Sequence, residues 1–328
     1  MTPSIPSAAV RALLLAQDGI ISRSQVLDAG DSNAVIRRML RRREWVKVGS
    51  GLYVNHTGPL TWSQRAWCAV RGAHPAVLSH QSAVHAVGGT VDGKQYGVPI
   101  HIAVGSRRNV AKQPGVVVHY DANLDDHAAW HTHPPRIRVE HAVVTLAAAA
   151  STETVAVARL TEAVNARITT VERLREALRT RRSLRRRAFL GEVLKDIADG
   201  TCSVLERRYR FGVEQAHGLP RPVRQSPTAT GRRGFRDAEY PDWHLVIELD
   251  GRVGHDDAPS RDRDLERDLD AVVGAGLTTV RLGWGQVGRP CTTAQKVGRL
   301  LTRRGWTGAL VPCSDGCEVS AADVKTLR

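Results

Sequence analysis

The chain of 328 residues carries 47 Lys and Arg against 33 Asp and Glu, for a net charge of +14 and a pI near 10.3. That field attracts polyanions, of which DNA and RNA are the commonest in a cell, and an apolar content of 42% excludes global disorder. No apolar run approaches the roughly 20 residues of a membrane span, no signal-peptide pattern opens the chain, and cysteines at 68, 202, 291, 313 and 317 form no even framework, so a reducing cytoplasmic setting without a membrane partner is expected.

The length suggests two or three domains, the first over residues 1–56. Val10, Leu13 and Leu14 mark an opening helix. Ser22 caps a second, with Gln25 three residues on in capping-box position, and Gly30 ends it. Asp31 or Ser32 opens a third, whose stripe of Val35, Ile36, Met39 and Leu40 leaves Arg37, Arg38, Arg41 and Arg42 on the wet face. Residues 45–48 and 52–54 then form an extended pair around the turn 49–51, carrying Lys47. Three helices, the last basic, followed by a hairpin predict a winged helix-turn-helix that sets its third helix in the major groove. The blander alternative is a small helical domain with a solvated arginine face.

Here the chain resembles the N-terminal region of AbiEi-type antitoxins, the antitoxin half of type IV toxin–antitoxin systems. The resemblance rests on Ile20-Ile-Ser-Arg-Ser-Gln-Val26, Leu40-Arg-Arg-Arg-Glu-Trp45 and Gly51-Leu-Tyr-Val54, and continues through Ala76-Val-Leu-Ser-His-Gln-Ser-Ala-Val84. It implies a DNA-binding regulator with a cognate toxin as partner.

Residues 57–199 read as a mixed α/β region that becomes helical. Helices are expected over 62–71 and 79–87, strands over 100–104 and 116–120, and long helices over 141–198. His74, His80, His85, His101, His131 and His133 form no recognisable ligand motif and read as surface or packed side chains. The loop 105–109 reads as plainly basic. Between 159 and 195, eleven basic side chains face four acidic ones, and the run from Arg179 to Arg187 is placed beside a phosphate backbone, with a solvated helical face as the alternative. A boundary is set near Gly200.

Residues 200–312 form the third domain, and 313–328 a mobile tail. Cys313 and Cys317 could clip a metal, but two further ligands at zinc-like spacing are missing. The strongest signal is Phe235-Arg-Asp-Ala-Glu-Tyr-Pro-Asp-Trp-His-Leu-Val-Ile-Glu-Leu-Asp-Gly251. Strands 235–240 and 245–250 around a four-residue loop would pair Tyr240 with Leu245 and Asp237 with Glu248. Alternation then sends Val246, Glu248 and Asp250 to one face. Carboxylates crowded on one patch repel unless a cation lies between them, and hard oxygens select Mg²⁺ or Mn²⁺. A helix over 203–217 with Glu206 near its start precedes the hairpin. A helix over 261–275, a strand over 278–284 and a helix over 292–304 come after it, while 221–234 reads as a loop.

That order, with Leu205-Glu206, Arg236-Asp237, Ile247-Glu-Leu-Asp-Gly251, His255, Arg263-Asp-Leu-Glu-Arg-Asp268 and Val280-Arg-Leu-Gly-Trp284, resembles the PD-(D/E)xK nucleases related to very-short-patch-repair enzymes. The resemblance implies a restriction-endonuclease-like α/β domain in which Asp237 and Glu248 or Asp250 hold Mg²⁺, with Glu206 as an outer ligand. Asp250 stands where the wider superfamily has lysine. His255 would act as general base or orient the water, and Arg281, with Arg263 or Arg267, would steady the transition state. The expected fold class is thus multidomain α/β. The expected function is a metal-dependent DNA endonuclease, with an antitoxin-like regulator that binds without cleaving as the alternative.

Overall fold

The computed structural model describes residues 5–91, 99–181, 183–199, 203–227, 235–251, 273 and 276–319. His255, Arg263 and Arg267 lie outside the described residues, as does nearly all of the expected helix 261–275. The chain is a mixed α/β protein of two compact units, one of residues 1–149 with 163–185, the other of 150–162 with 186–328. Composition had placed boundaries near residues 56 and 199. Among the described residues no helix is long and apolar enough to cross a membrane.

The first unit opens with helices Ala8–Ala16, Arg23–Asp28 and Asn33–Arg41. Ser22 and Gln25 cap the second reciprocally, as their spacing requires, and Gly30 comes after it at φ +84°, where a Cβ would be strained. Strands β1 (Ile20–Ser22), β2 (Val46–Gly49) and β3 (Leu52–Val54) form a sheet in the order β1-β3-β2. The hairpin was expected; β1 was not, because three residues leading straight into a cap carry no alternation to read. Val10, Leu14, Val26, Val35, Ile36, Met39, Trp45 and Tyr53 make one core, which the third helix enters through the expected stripe.

Residues 1–56 are continuous with the rest of the first unit. Ile20 and Val54 share a cluster with Trp67 of helix Trp62–Gly72, and Gln64 of that helix donates to the Asp18 carbonyl at 2.8 Å. Beyond it, β4 (Val77–Leu78), β5 (Ile100–Gly105), β6 (Val116–Asp121), β7 (Ala128–Ala129) and β8 (Arg136–Ile137) form a five-stranded sheet in the order β6-β5-β4-β8-β7. β5 and β6 match expectation and run parallel; the two-residue strands fall below what periodicity can detect. Helices Val139–Ala148 and Val171–Thr180 complete the unit.

In the arginine run 179–187, Arg179, Arg185 and Arg187 are exposed, while Arg181 and Arg186 are turned to acceptors. The helix stops at Thr180, Arg181 turns inward onto Asp121, and Arg186 donates to the carbonyls of Ala150 and Ser151. Backbone acceptors and a half-buried carboxylate thus occupy two of these cations.

The second unit is built on a four-stranded sheet, β12-β11-β10-β9, of β9 (Val223–Pro227), β10 (Phe235–Tyr240), β11 (Leu245–Leu249) and β12 (Thr278–Leu282). β9, β10 and β11 run antiparallel and β12 lies parallel to β11. Tyr240 opposes Leu245 across a four-residue loop, as expected, with His244 at φ +48° closing the turn. β9 corrects the reading of 221–234 as a loop throughout. Pro222 just before it and Pro227 at its end masked it, yet proline is tolerated on an edge strand, and β9 is one. Helix Ser203–Arg208 loosens into a π turn, Tyr209–Glu214, and a last turn to His217; helix Pro290–Arg303 lies at the far end of the unit's sequence.

Candidate functional site

The acidic constellation falls on β10, β11 and the helix that starts at Ser203. The β10–β11 ladder runs from Tyr240 opposite Leu245 to Ala238 opposite Ile247. Beyond it, the Leu249 N–H donates to Asp237 Oδ2 at 2.6 Å. The Asp237 carboxylate therefore takes a backbone donor of the facing strand, one step past the last paired residues, where the same register runs towards the expected Asp237–Glu248 position. On its other side, Glu248 stands opposite Arg281 across the parallel β11–β12 pair. Asp250 comes directly after β11, and its N–H donates to the Leu282 carbonyl at 3.0 Å.

Electrostatics tie three of these acids together. Burial pushes the Asp237 carboxyl up; the Leu249 N–H and Arg224 oppose that, and the charge of Asp250 adds to it. Burial also raises Glu206, and the charge of Asp237 raises it further. Among the described residues, the one group of three or more His, Cys, Asp or Glu ligand atoms lying mutually within 4.8 Å is His217, Cys291, Cys313 and Cys317.

Two features here escaped sequence reasoning. Glu214, 4% exposed, accepts from Tyr240 Oη at 3.0 Å and pairs with Arg224, while Tyr209 and Tyr240 hydroxyls lie 3.3 Å apart. This network anchors the helix to the sheet; only the apolar spacing of Leu205 and Tyr209 hinted at that contact. The second is the cysteine–histidine group, which corrects the reading of 313–328 as a mobile tail for its described part. Val311 N–H donates to the His217 carbonyl at 3.0 Å, Gln295 Nε2 to the Glu318 carbonyl at 2.7 Å, and Val319 is buried. Local spacing missed it because His217 stands 74 residues before Cys291 in the chain.

The first unit holds a different polar cluster around a cavity of about 740 Å³, lined among others by His80, His119, Asp121, His127 and Arg181. His80 and His119 stack at 3.6 Å between ring centroids, and His101 Nδ1 lies 2.9 Å from His119 Nε2. Asp121 Oδ2 receives His127 Nδ1 at 2.8 Å and Arg181 Nη2 at 3.0 Å, and Arg181 Nη1 also donates to Thr145 Oγ1 at 2.9 Å. Burial lowers His80 to about 3 and His119 to about 4, with the neighbouring rings adding to it. His141, whose ring lies 4.4 Å from that of His127, is likewise lowered to about 4, first by burial. Asp121 is raised by burial, but the His127 hydrogen bond, the Asn123 N–H and Arg181 bring it below the usual carboxylate range. At neutral pH this is a stack of uncharged rings beside the Asp121–Arg181 ion pair, in which Arg181 Nε is buried without a hydrogen-bond partner. Reading His80 and His101 as packed residues fits this geometry, though strand spacing could not show that His119 joins them.

On the opening helices, Arg37, Arg41 and Arg42 are exposed, Arg38 is half-buried, and Lys47 projects from β2. Arg42 also pairs with Glu44 at 2.6 Å.

No family model matches the chain and no curated protein is similar to it. Among solved structures, it is similar to the RV2827C protein of Mycobacterium tuberculosis, at 17% identity over 57% of this chain and 76% of that one, with a TM-score of 0.33. A likeness of that size carries neither fold nor function.

Proposed function

We propose that this protein is a DNA-binding endonuclease. In this reading helix Asn33–Arg41 and the β2–β3 wing form a winged helix-turn-helix that grips duplex DNA. The second unit is a PD-(D/E)xK-type domain that hydrolyses phosphodiesters with Mg²⁺ or Mn²⁺. The observation that carries the reading is the crowding of Glu206, Asp237 and Asp250, in which Asp237 feels the charge of Asp250 and Glu206 that of Asp237. Like charges held together cost stability, and a divalent cation among carboxylate oxygens removes that cost. The order helix, three antiparallel strands, parallel fourth strand, helix supports it too.

Asp237 and Asp250 would hold the ion, with Glu206 and Glu248 as further oxygen donors, and when bound it would polarise a phosphate and lower the pKa of a water. The chain's own residues set the stage. The Leu249 N–H fixes one oxygen of Asp237 at 2.6 Å, so the carboxylate's orientation is decided before any ligand arrives. Arg281, opposite Glu248, brings positive charge to the strand that carries the acids, where a phosphate gains negative charge in the transition state. His255 as base or water-orienting group, and Arg263 or Arg267 as phosphate contacts, rest on the nuclease resemblance.

The test is nicking of supercoiled plasmid by the full chain. Cleavage is expected with Mg²⁺ or Mn²⁺ and not with chelator, and Asp237→Ala is expected to abolish it while retaining DNA binding. Wild-type protein that binds and never cuts would sink the nuclease reading. An antitoxin-like regulator, working with a cognate toxin, would then take its place; the exposed Arg37, Arg41 and Lys47, which serve binding without cleavage, favour that second reading. The DNA-binding half has its own check. With about six phosphates contacted, log K should fall against log salt with a slope of about −5, and Arg41→Ala should make it shallower by about 1. A flat salt response would remove nucleic acid as the partner.

A further inference from the structure

We propose that His217, Cys291, Cys313 and Cys317 bind one structural Zn²⁺ that ties segment 311–319 to the turn ending at His217 and to helix Pro290–Arg303. The four ligand atoms lie within 4.8 Å of one another. Bond lengths of about 2.3 Å to sulfur and 2.0 Å to nitrogen, set tetrahedrally, require edges of about 3.8 Å between sulfurs and about 3.5 Å between sulfur and nitrogen. Cys291 Sγ and Cys313 Sγ are 3.7 Å apart, and Cys317 Sγ lies 3.5 Å from His217 Nε2. A disulfide would need a separation near 2.05 Å, so the thiols are arranged around a point rather than joined in a pair.

The surroundings are those of a ligand set. His217 is 0% exposed, and its Nδ1 lies 3.1 Å from the Val213 carbonyl. Nδ1–H donates to that carbonyl, which leaves the Nε2 lone pair directed at the cysteines, the outer hydrogen bond that orients metal-bound histidines. The Val319 N–H donates to Cys317 Sγ at 3.4 Å, stabilising negative charge on that sulfur. Cys313 and Cys317 flank a tight turn closed by Cys317 N–H on the Ser314 carbonyl at 3.1 Å, which brings both sulfurs to the same side. Thr292 Oγ1 donates to Glu318 at 2.5 Å and Gln295 Nε2 to its carbonyl, holding this turn against helix Pro290–Arg303, whose second residue is Cys291.

Three soft thiolates and an imidazole, all within 4.8 Å of one another, select zinc among the common divalent ions, and four protein ligands leave no open position for chemistry. On binding, three S–H protons pass to solvent as three S–Zn bonds form, with no change of oxidation state. Nothing here depends on the nuclease reading; the site lies on other residues than Asp237, Glu248 and Asp250.

The experiment is metal analysis of the full chain purified under reducing conditions, then replacement with Co²⁺. One zinc per chain is expected, with the intense visible d–d bands and near-ultraviolet thiolate charge transfer of a tetrahedral cobalt site. Cys313→Ser, at an exposed position, should weaken zinc binding by more than about a hundredfold, beyond the loss from an outer-shell change. Cys68→Ser, in the other unit, should leave the zinc in place. X-ray absorption on wild-type zinc protein needs no variant and should show sulfur at about 2.3 Å with one lighter neighbour. Protein that carries no zinc and takes up no tetrahedral cobalt, a shell of oxygens alone, or full zinc retention in Cys313→Ser would overturn the proposal.

Discussion

The acidic patch of the second unit and the histidine cavity of the first both gather titratable side chains out of water, and burial acts on them with opposite results. A histidine escapes the cost of burial by giving up its proton. His80, His119 and His141, held at about 3 to 4, are uncharged at neutral pH and need no counter-ion. A carboxylate becomes neutral only by gaining a proton, so Asp237 and Glu206 relax by taking up either a proton or a cation. A cluster of ionisable groups therefore points to a ligand when its neutral-pH state is like-charged. An uncharged cluster carries no such electrostatic demand, and only ligand-atom geometry like that of His217 and its cysteines points to a ligand there.

The largest expected effect separates the two at once. Asp237→Asn keeps an oxygen for the Leu249 N–H and removes one of the crowded charges. Under the nuclease reading it should cost about a thousandfold in cleavage, the scale of losing one strong electrostatic contact to a transition state. In chelator it should melt no lower than wild type, because a carboxyl whose folded pKa is raised subtracts stability at neutral pH. Mg²⁺ should raise the wild-type melting temperature and leave that of the variant unchanged. A variant that melts markedly lower in chelator would mean the acids are a satisfied network, and the contrast with the cavity would vanish.

Next in size is Arg181→Met. Arg181 and Asp121 expose 17% and 16% of their side chains, between a surface pair and a buried one. Removing the cation leaves Asp121 with His127 and the Asn123 N–H in a low-dielectric wall, for a loss of about 2 kcal/mol in urea unfolding. Unchanged stability would sink the packing view of the cavity and free Arg181 to serve a ligand.

Local signals in the sequence carried much of this architecture. The Ser22–Gln25 box, the Val35-to-Leu40 stripe, the four-residue loop pairing Tyr240 with Leu245, and the acids in an apolar strand all express short-range rules. What stayed hidden was long-range or too short to be periodic. The two-residue strands β4, β7 and β8 exist only because neighbours pair with them. Arg181 was legible as a charge but not as the partner of Asp121, 60 residues away. His217 lies too far from the cysteine pair for ligand spacing rules to reach, and its partner Cys291 sits inside a helix pattern that reads as ordinary amphipathic sequence.

Acid offers the finest division between the two regions, because the sign of its effect differs. Between the folded values near 3 to 4 and the unfolded value of about 6.5, the unfolded chain binds more protons at His80, His119 and His141 than the folded one. The stability of the first unit should therefore fall as pH drops from about 6.5 towards 4. Asp121 does not confuse this window, since its carboxyl lies below the usual range and loses its contribution only at more acid pH. Beside β10 and β11, Glu206 and Asp237 are raised, so in zinc-free protein the folded state there binds protons first and acid should strengthen that sheet. Hydrogen exchange read by mass spectrometry, corrected for intrinsic rates, reports each region separately. Protection in β5 and β6 should decline from pH 7 to 5, and that in β10 and β11 should hold or rise. His80→Gln should remove part of the decline and leave the share of the other lowered rings, His101 of β5 among them. A parallel loss in both sheets would show that one global transition, rather than opposed local ionisation, governs the response to acid.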